Sequence, residues 1–428
     1  MAKLVDARDL KSLGGDSMPV RVRPRAPRNS KIRCHRRQSW ATPSYCLCTP
    51  STENSASAQI FLAQSLCNVE YHGVQIDSSQ SSCSTVWALT MNDNDDWLSL
   101  TTEETLDPSL PICDPHHHLW AGRTGVTPQD YLLDDFLADI NSGHNVVSTI
   151  FIECGTMFST DGPIAFRPIG ETQFANEVAA MSASGRYGKT RVAAGIVGTA
   201  YLSEGDRVGA VLDAQLATGG ERFKGIRQAA VYDDDPSVPN HRTNPPRELY
   251  ANRKFREGFA HLARRDLSFE AWCYHPQLPE LTELAQTFPD TTIILDHFGG
   301  PLGVGRYAGR VDEVFDSWRE AILPLSKCPN VFAKLGGIAM EVNGHSWHTR
   351  HRPPGSQELL GATGRYYDYT IEIFGTNRCM FESNFPVDRI STSYNVLWNA
   401  FKKLTASYSL QERAQLFHDN AAKTYRLL

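Results

Sequence analysis

A chain of 428 residues is long enough for one large domain with sequence to spare, and 41% hydrophobic with 21% charged residues is an ordinary globular composition. No apolar run reaches the roughly 18–20 residues that a membrane span needs. The formal charge of −6 gives no general reason to expect a nucleic-acid partner.

The charge is unevenly spread. Residues 1–37 carry eleven Lys/Arg and three Asp, a net of +8, which leaves −14 on the rest of a chain whose total is −6. Three aspartates by position 16 argue against a transit peptide, and no apolar leader core follows the early basic residues. A cytoplasmic protein is therefore expected, and a homo-oligomer is compatible with everything read so far. Residues 1–90 are rich in Ser, Arg, Pro and Thr and lack sustained periodicity, which predicts a poorly ordered extension. Residues 2–13 and 18–27 also resemble a translated transfer-RNA gene, and residues 19–24 admit a back-translation like the T-arm of such genes. The stretch is accordingly expected to be a gene-model artefact, with Met91 the natural start of a 91–428 domain; a genuine disordered extension is the alternative.

Ten cysteines divide evenly about residue 91. The later five (Cys113, Cys154, Cys273, Cys328 and Cys379) are scattered, several in strand-like segments, and read as buried reduced thiols. Cys46 and Cys48 have no second pair nearby, so a zinc knuckle is not expected there.

From residue 110 onward, short apolar or β-branched runs alternate with longer amphipathic stretches, the pattern of βα units. Eight strands are predicted, at 112–118, 146–155, 191–198, 223–228, 267–273, 292–297, 331–336 and 379–384. A helix over 131–140 has apolar residues at Leu132, Leu133, Phe136, Leu137 and Ile140, with Thr127-Pro128 as its start signal and Gly143 as its stop. Residues 288–290 end another helix, and a last one over 410–428 is expected to seal the outer ring. Eight such units make the expected class α/β, a (β/α)8 TIM barrel. An open doubly wound sheet would show a Gly-rich phosphate turn after an early strand, and none appears.

Barrel chemistry sits at the carboxyl ends of the strands. His116, His118, Glu153, Arg227, His275, His297, Lys334, Glu382 and Asn384 all fall there. Strict alternation puts Asp114, His116 and His118 on one face and His117 on the other. Two imidazoles at i and i+2 are then close enough to hold one metal or one substrate carboxylate. Arg227 suits a bidentate grip on a carboxylate, whereas Lys224 is expected to pack outward. Glu153 is read as a partner to a histidine or as a substrate contact. Cys154 lacks the companions of a nucleophile, and His345, His348 and His351 read as a loop over the mouth rather than a metal set.

His116-His117-His118 on a first strand is followed by Leu295-Asp296-His297-Phe298-Gly299-Gly300-Pro301 and by residues 378–386, Arg-Cys-Met-Phe-Glu-Ser-Asn-Phe-Pro. Together these resemble the amidohydrolase-related (amidohydrolase 2) family over roughly residues 110–428. Residues 222–227 and 277–281 look most like its sugar-acid and pyrone-dicarboxylate lactonases. The resemblance implies a hydrolase of a small carboxylate-bearing lactone or related acyl substrate. His116 and His118 would be ligands of a divalent metal, zinc first, or substrate-binding groups in a metal-free mechanism. His297 would polarise the scissile carbonyl or shuttle a proton, and His275 falls where the decarboxylase branch places a metal ligand, with a substrate-binding or supporting role as the equal alternative. One departure stands out. The family's eighth-strand aspartate is here Asn384, and the glycine two residues before it is Glu382. An amide takes no proton at neutral pH, so Glu382 becomes the candidate base or ligand while Asn384 orients water or substrate. A metal-dependent decarboxylase of an aromatic acid and a non-catalytic binding barrel remain the alternatives.

Overall fold

The computed structural model describes residues 93–123, 128 and 130–427. The expectations about residues 1–90, Met91, Cys46, Cys48 and Thr127 lie outside them.

Eight parallel strands pair in sequence order: β1 (Pro111–His117), β2 (Asn145–Ile152), β3 (Arg191–Thr199), β4 (Phe223–Arg227), β5 (Ser268–Ala271), β6 (Ile293–Leu295), β7 (Val331–Leu335) and β8 (Cys379–Phe381). The ring closes where His117 bridges Phe385: the His118 N–H donates to the Phe385 carbonyl at 2.8 Å, and the Asn384 N–H to the His116 carbonyl at 3.0 Å. After an opening helix α1 (Asp93–Ser99), one helix follows each strand up to β7: α2 (Leu133–Ile140), α3 (Ile169–Ala183), α4 (Val208–Gly219), α5 (Arg253–Phe259), α6 (Leu278–Thr287), α7 (Val311–Ser326) and α8 (Ser356–Phe374). Beyond β8 come α9 (Tyr394–Leu404), α10 (Leu410–Ala414) and α11 (Asn420–Thr424). The eight-stranded barrel is as expected. Among the described residues no helix is long and apolar enough to cross a membrane.

Two cores follow from strand alternation. Inside, Cys113, Ile150, Ile152, Val197, Ile294 and Met380 fill the barrel, and Ala421 and Tyr425 stop its lower end. Outside, residues such as Ile112, Phe151, Ile196 and Phe269 pack on the helices. All five described cysteines are free and buried. Trp318 of α7 is fully buried, and its indole N–H donates to the Phe298 carbonyl at 2.7 Å, which ties the end of β6 to the outer layer.

Several predicted boundaries shift, four of them for identifiable reasons. β8 stops at Phe381 rather than at 384, because Asn384 turns into the left-handed region at φ 56°. β6 stops at Leu295 because His297 and Phe298 do the same at φ 52° and 59°. The closing helix is not continuous: a wide π turn over Gln415–Asp419 separates α10 from α11. The 131–140 helix begins at Leu133, where the Asp135 carboxylate accepts the Leu132 N–H at 2.9 Å.

Candidate active site

β1 departs from strict alternation, and the departure builds the site. Its pairing with β2 runs from Asp114 opposite Thr149 to His117 opposite Phe151, three steps on one strand against two on the other. That bulge reverses the phase of the side chains. Cys113 faces the interior, while Asp114 reaches the Tyr394 hydroxyl of α9 at 3.0 Å and the Ser383 N–H at 3.0 Å. Past the bulge, His116 and His118 turn inward, and His117 stacks outward on the Phe136 ring at 4.2 Å. Asp114 and His116 therefore lie on opposite faces, contrary to the uninterrupted alternation read from sequence.

Glu382 leaves the end of β8 and points into the barrel. Its Oε2 lies 2.7 Å from His116 Nδ1 and its Oε1 2.7 Å from His297 Nδ1. One carboxylate thus lies between two imidazoles, and its hydrogen bond comes from His297 Nδ1. Burial alone would raise the Glu382 pKa, but the two histidines hold it well below the usual carboxylate range. The His297 ring also meets the edge of Trp272 at 4.8 Å. It fits only because residue 337 is glycine: at φ 63°, a Cβ there would sit 2.0 Å from His297 Nδ1.

Beneath the histidines lies a buried network of charges. Lys334 Nζ, fully buried, lies 2.7 Å from Glu270, 3.2 Å from Asp296 and 3.2 Å from His116 Nδ1. Arg227 Nη1 is 3.3 Å from Asp296 and 3.3 Å from His116 Nε2. Burial opposes ionisation of Asp296, yet Lys334 and the neighbouring histidines keep it well below its ordinary value. Glu270 goes the other way: burial, reinforced by the Asp296 charge, raises it well above its ordinary value against the pull of Lys334. The Tyr425 hydroxyl donates to Glu270 from below, linking the plug of the barrel to the floor of the site. Burial lowers both His116 and His118 below the usual imidazole range, with Lys334 adding to the shift at His116 and the His116 and Arg227 charges at His118.

The sequence candidates divide accordingly. His116, His118, His297 and Glu382 converge. Arg227 reaches the same cluster, but its fork is already taken: Nε donates to Glu153 Oε1 at 2.8 Å, and Nη2 to the Glu153 carbonyl. Glu153 meets no histidine ring. It binds Arg227, Arg242 and, at 2.9 Å, the Thr199 hydroxyl; burial is outweighed by the two arginines, which bring it down to about 2. Asn384 also stays outside, its amide donating to Asp388 at 2.8 Å. His275 packs edge-on to Tyr307 at 5.2 Å, and burial lowers it to about 4. Lys224 turns to the Arg426 carbonyl at the other end of the barrel. The loop histidines do not gather: His345 stacks on Trp347 at 4.3 Å, while His348 approaches Glu341. Asp296 and Glu270 were overlooked in the sequence. Each is an acid near the carboxyl end of a short apolar strand, which is the signal that could have found them.

These residues fit a metal ion. His118 Nδ1 donates to the Ile152 carbonyl at 2.8 Å, and His116 Nε2 accepts from Arg227 Nη1 at 3.3 Å, so both Nε2 atoms carry lone pairs. Those lone pairs face each other across 3.3 Å, the separation of two imidazoles sharing one ion at bond lengths of about 2.0–2.1 Å. Donor atoms of His116, Asp296 and His297 also lie within 4.8 Å of one another.

The amidohydrolase family model matches residues 113–427. The uncharacterised protein y4mH of Sinorhizobium fredii is 35% identical over 336 residues, covering 74% of this chain and 99% of that protein. An L-fucono-1,5-lactonase of Burkholderia multivorans is 27% identical over 174 residues, 40% of this chain and 56% of the lactonase. Among solved structures, an amidohydrolase of Burkholderia multivorans, crystallised with HEPES and with zinc, superposes with a TM-score of 0.57 at 23% identity. That match spans 74% of this chain and 99% of the other and shows a shared fold. With the family model covering nearly the whole barrel and a relative matched along its full length, the chain belongs to the amidohydrolase family.

Proposed function

We propose that the protein hydrolyses a small lactone, and that Glu382 and His297 act as a carboxylate–imidazole pair on the attacking water. The observation that carries this reading is the 2.7 Å contact between Glu382 Oε1 and His297 Nδ1, which leaves Nε2 as the proton acceptor. His297 Nε2 takes the proton as the water oxygen bonds to the lactone carbonyl carbon. It returns that proton to the ring oxygen as the ring C–O bond breaks, giving a hydroxy acid. Glu382 therefore positions rather than attacks: its Oε1 is hydrogen-bonded to His297 and its Oε2 lies 2.7 Å from His116, so we assign the base to the imidazole. His116 and His118 would hold a divalent cation through Nε2, and such an ion supplies Lewis acidity toward a carbonyl oxygen. Trp272, Leu302 and Met340 belong to an apolar cluster formed by the loops after β5, β6 and β7 and help to exclude bulk water.

An acid group on the substrate cannot rely on Arg227, whose fork belongs to Glu153. We assign it to Arg242, which is 32% exposed beside Glu153, and to Arg123, whose guanidinium lies 4.4 Å from the Trp120 ring centroid. The names of the lactonase relatives support the lactone class. The decarboxylase alternative needs His275 to join His116 and His118, and His275 packs instead against Tyr307.

The test is a panel of sugar-acid lactones and pyrone carboxylates, followed by proton release. His297→Ala and Glu382→Gln are each expected to lower kcat by about 10²–10⁴-fold, with smaller changes in KM. Absence of turnover on every lactone, or unchanged turnover in both variants, would overturn the assignment.

A further inference from the structure

The amino-terminal end of the barrel, opposite the histidines, carries cations that this chemistry does not use. A cavity of about 310 Å³ opens there against α3 and the starts of β3 and β4, lined by Arg191, Arg222, Lys224, Arg426, Glu221 and Leu427 among others. Lys224 is buried, and its Nζ donates to the Arg426 carbonyl at 3.1 Å. Arg222 donates to Asn176 at 2.7 Å, and Arg191 reaches the Leu427 carbonyl at 3.5 Å. Arg426 pairs with Asp266 at 3.3 Å. Among the described residues, none of Arg191, Arg222 and Lys224 has a carboxylate partner, and Glu221 is the one acid on the wall. Burial and the Arg426 charge pull the Lys224 ammonium below its usual range, as expected where like charges share a recess.

We infer that this recess binds a phosphate monoester, with the dianion held by Arg191, Arg222 and Lys224. Three cations from the starts of two neighbouring strands suit a dianion with several acceptor oxygens better than a single carboxylate. The volume exceeds what a bare phosphate ion needs and falls at the lower end of small-ligand pockets. Ala179, Ala183 and Val192 on the same wall offer an apolar surface for the organic part.

Calorimetric titration of the full chain with inorganic phosphate, glycerol phosphate and malonate, at fixed ionic strength, tests the inference. Saturable one-site binding of glycerol phosphate is expected, tighter than that of malonate. Arg191→Gln and Lys224→Met should each weaken it about tenfold or more. Arg191 is exposed at the start of its strand, so its variant keeps the fold, which circular dichroism verifies. Lactone turnover should be the same in all three proteins. No saturable phosphate binding by the parent, parental affinity in both variants, or malonate binding as tightly as the monoester would each overturn it.

Discussion

Glu382 and Glu171 show how differently two buried carboxylates behave. Glu382 has an imidazole on each oxygen and stays ionised. Glu171, fully buried under the end of β2, accepts the Cys154 and Thr156 N–H groups on Oε1, at 2.8 and 3.0 Å, while Oε2 has no partner among the described residues. Burial, helped by the Glu153 charge, raises its pKa from 4.5 to about 7. The folded state then holds a proton that the unfolded chain has already released. Its stabilising contribution is complete below the unfolded value near 4.5 and is lost as pH climbs through about 7. A shift of this size corresponds to roughly 2–3 kcal/mol between pH 5 and 8. Glu171→Gln is neutral throughout and keeps an acceptor for both N–H groups, so its urea midpoint should fall less across that window than the parent's. Asp388 and Asp114 are also raised, but they titrate in both proteins and cancel from the comparison. Equal slopes in the two proteins would refute the role given to Glu171.

The site depends on where each element stops. β7 ends in Lys334-Leu335, and the two glycines that follow leave room for neighbouring strands to lean in: a Cβ at Gly336 would come 2.5 Å from Glu382 Cγ, and one at Gly337 2.0 Å from His297 Nδ1. Gly337→Ala should therefore push the His297 ring off Glu382. A kcat loss of about 10²-fold is expected from a misplacement near 1 Å, with a small change in KM. Gly361→Ala in α8, where the added methyl meets open space, should leave kcat alone. Full activity in Gly337→Ala would separate the ring's position from catalysis. The same element ends explain what could be read from sequence. Strand order, helix alternation and the inward His116, His118, His297 and Glu382 followed from apolar periodicity and motif spacing. The bulge in β1 did not, because a phase reversal leaves no trace in the composition of Asp114-Pro115-His116. Nor did the partners of Arg227, Glu153 and Asn384: which neighbour a charged side chain chooses is decided across strands, at distances the chain order does not encode.

For the whole molecule, barrel closure and the outer ring are complete within residues 93–427, and the segment that opens this span is stitched into them. The Trp97 indole donates to the Arg350 carbonyl at 2.9 Å, and the Thr101 hydroxyl to the Pro353 carbonyl at 2.8 Å. The Glu103 carboxylate accepts the Ser356 N–H at 2.8 Å and the Asn399 amide at 3.1 Å, and the Leu106 N–H donates to Asn399 at 2.9 Å. These bonds fasten the loop after β7 and the start of α8 to α9, three elements that converge beside β8 and therefore beside Glu382. Removing them should cost about 0.5–1.5 kcal/mol each, or several kcal/mol together. A chain of residues 91–428 keeps every one of these ties, and its calorimetric Tm is expected within about 2 °C of the full chain's. A chain of residues 107–428 loses them all and should melt roughly 5–15 °C lower. Coincident melting of the two shortened chains would show that residues 94–106 do not hold the barrel. A 91–428 chain that failed to fold would move the domain boundary upstream of Met91.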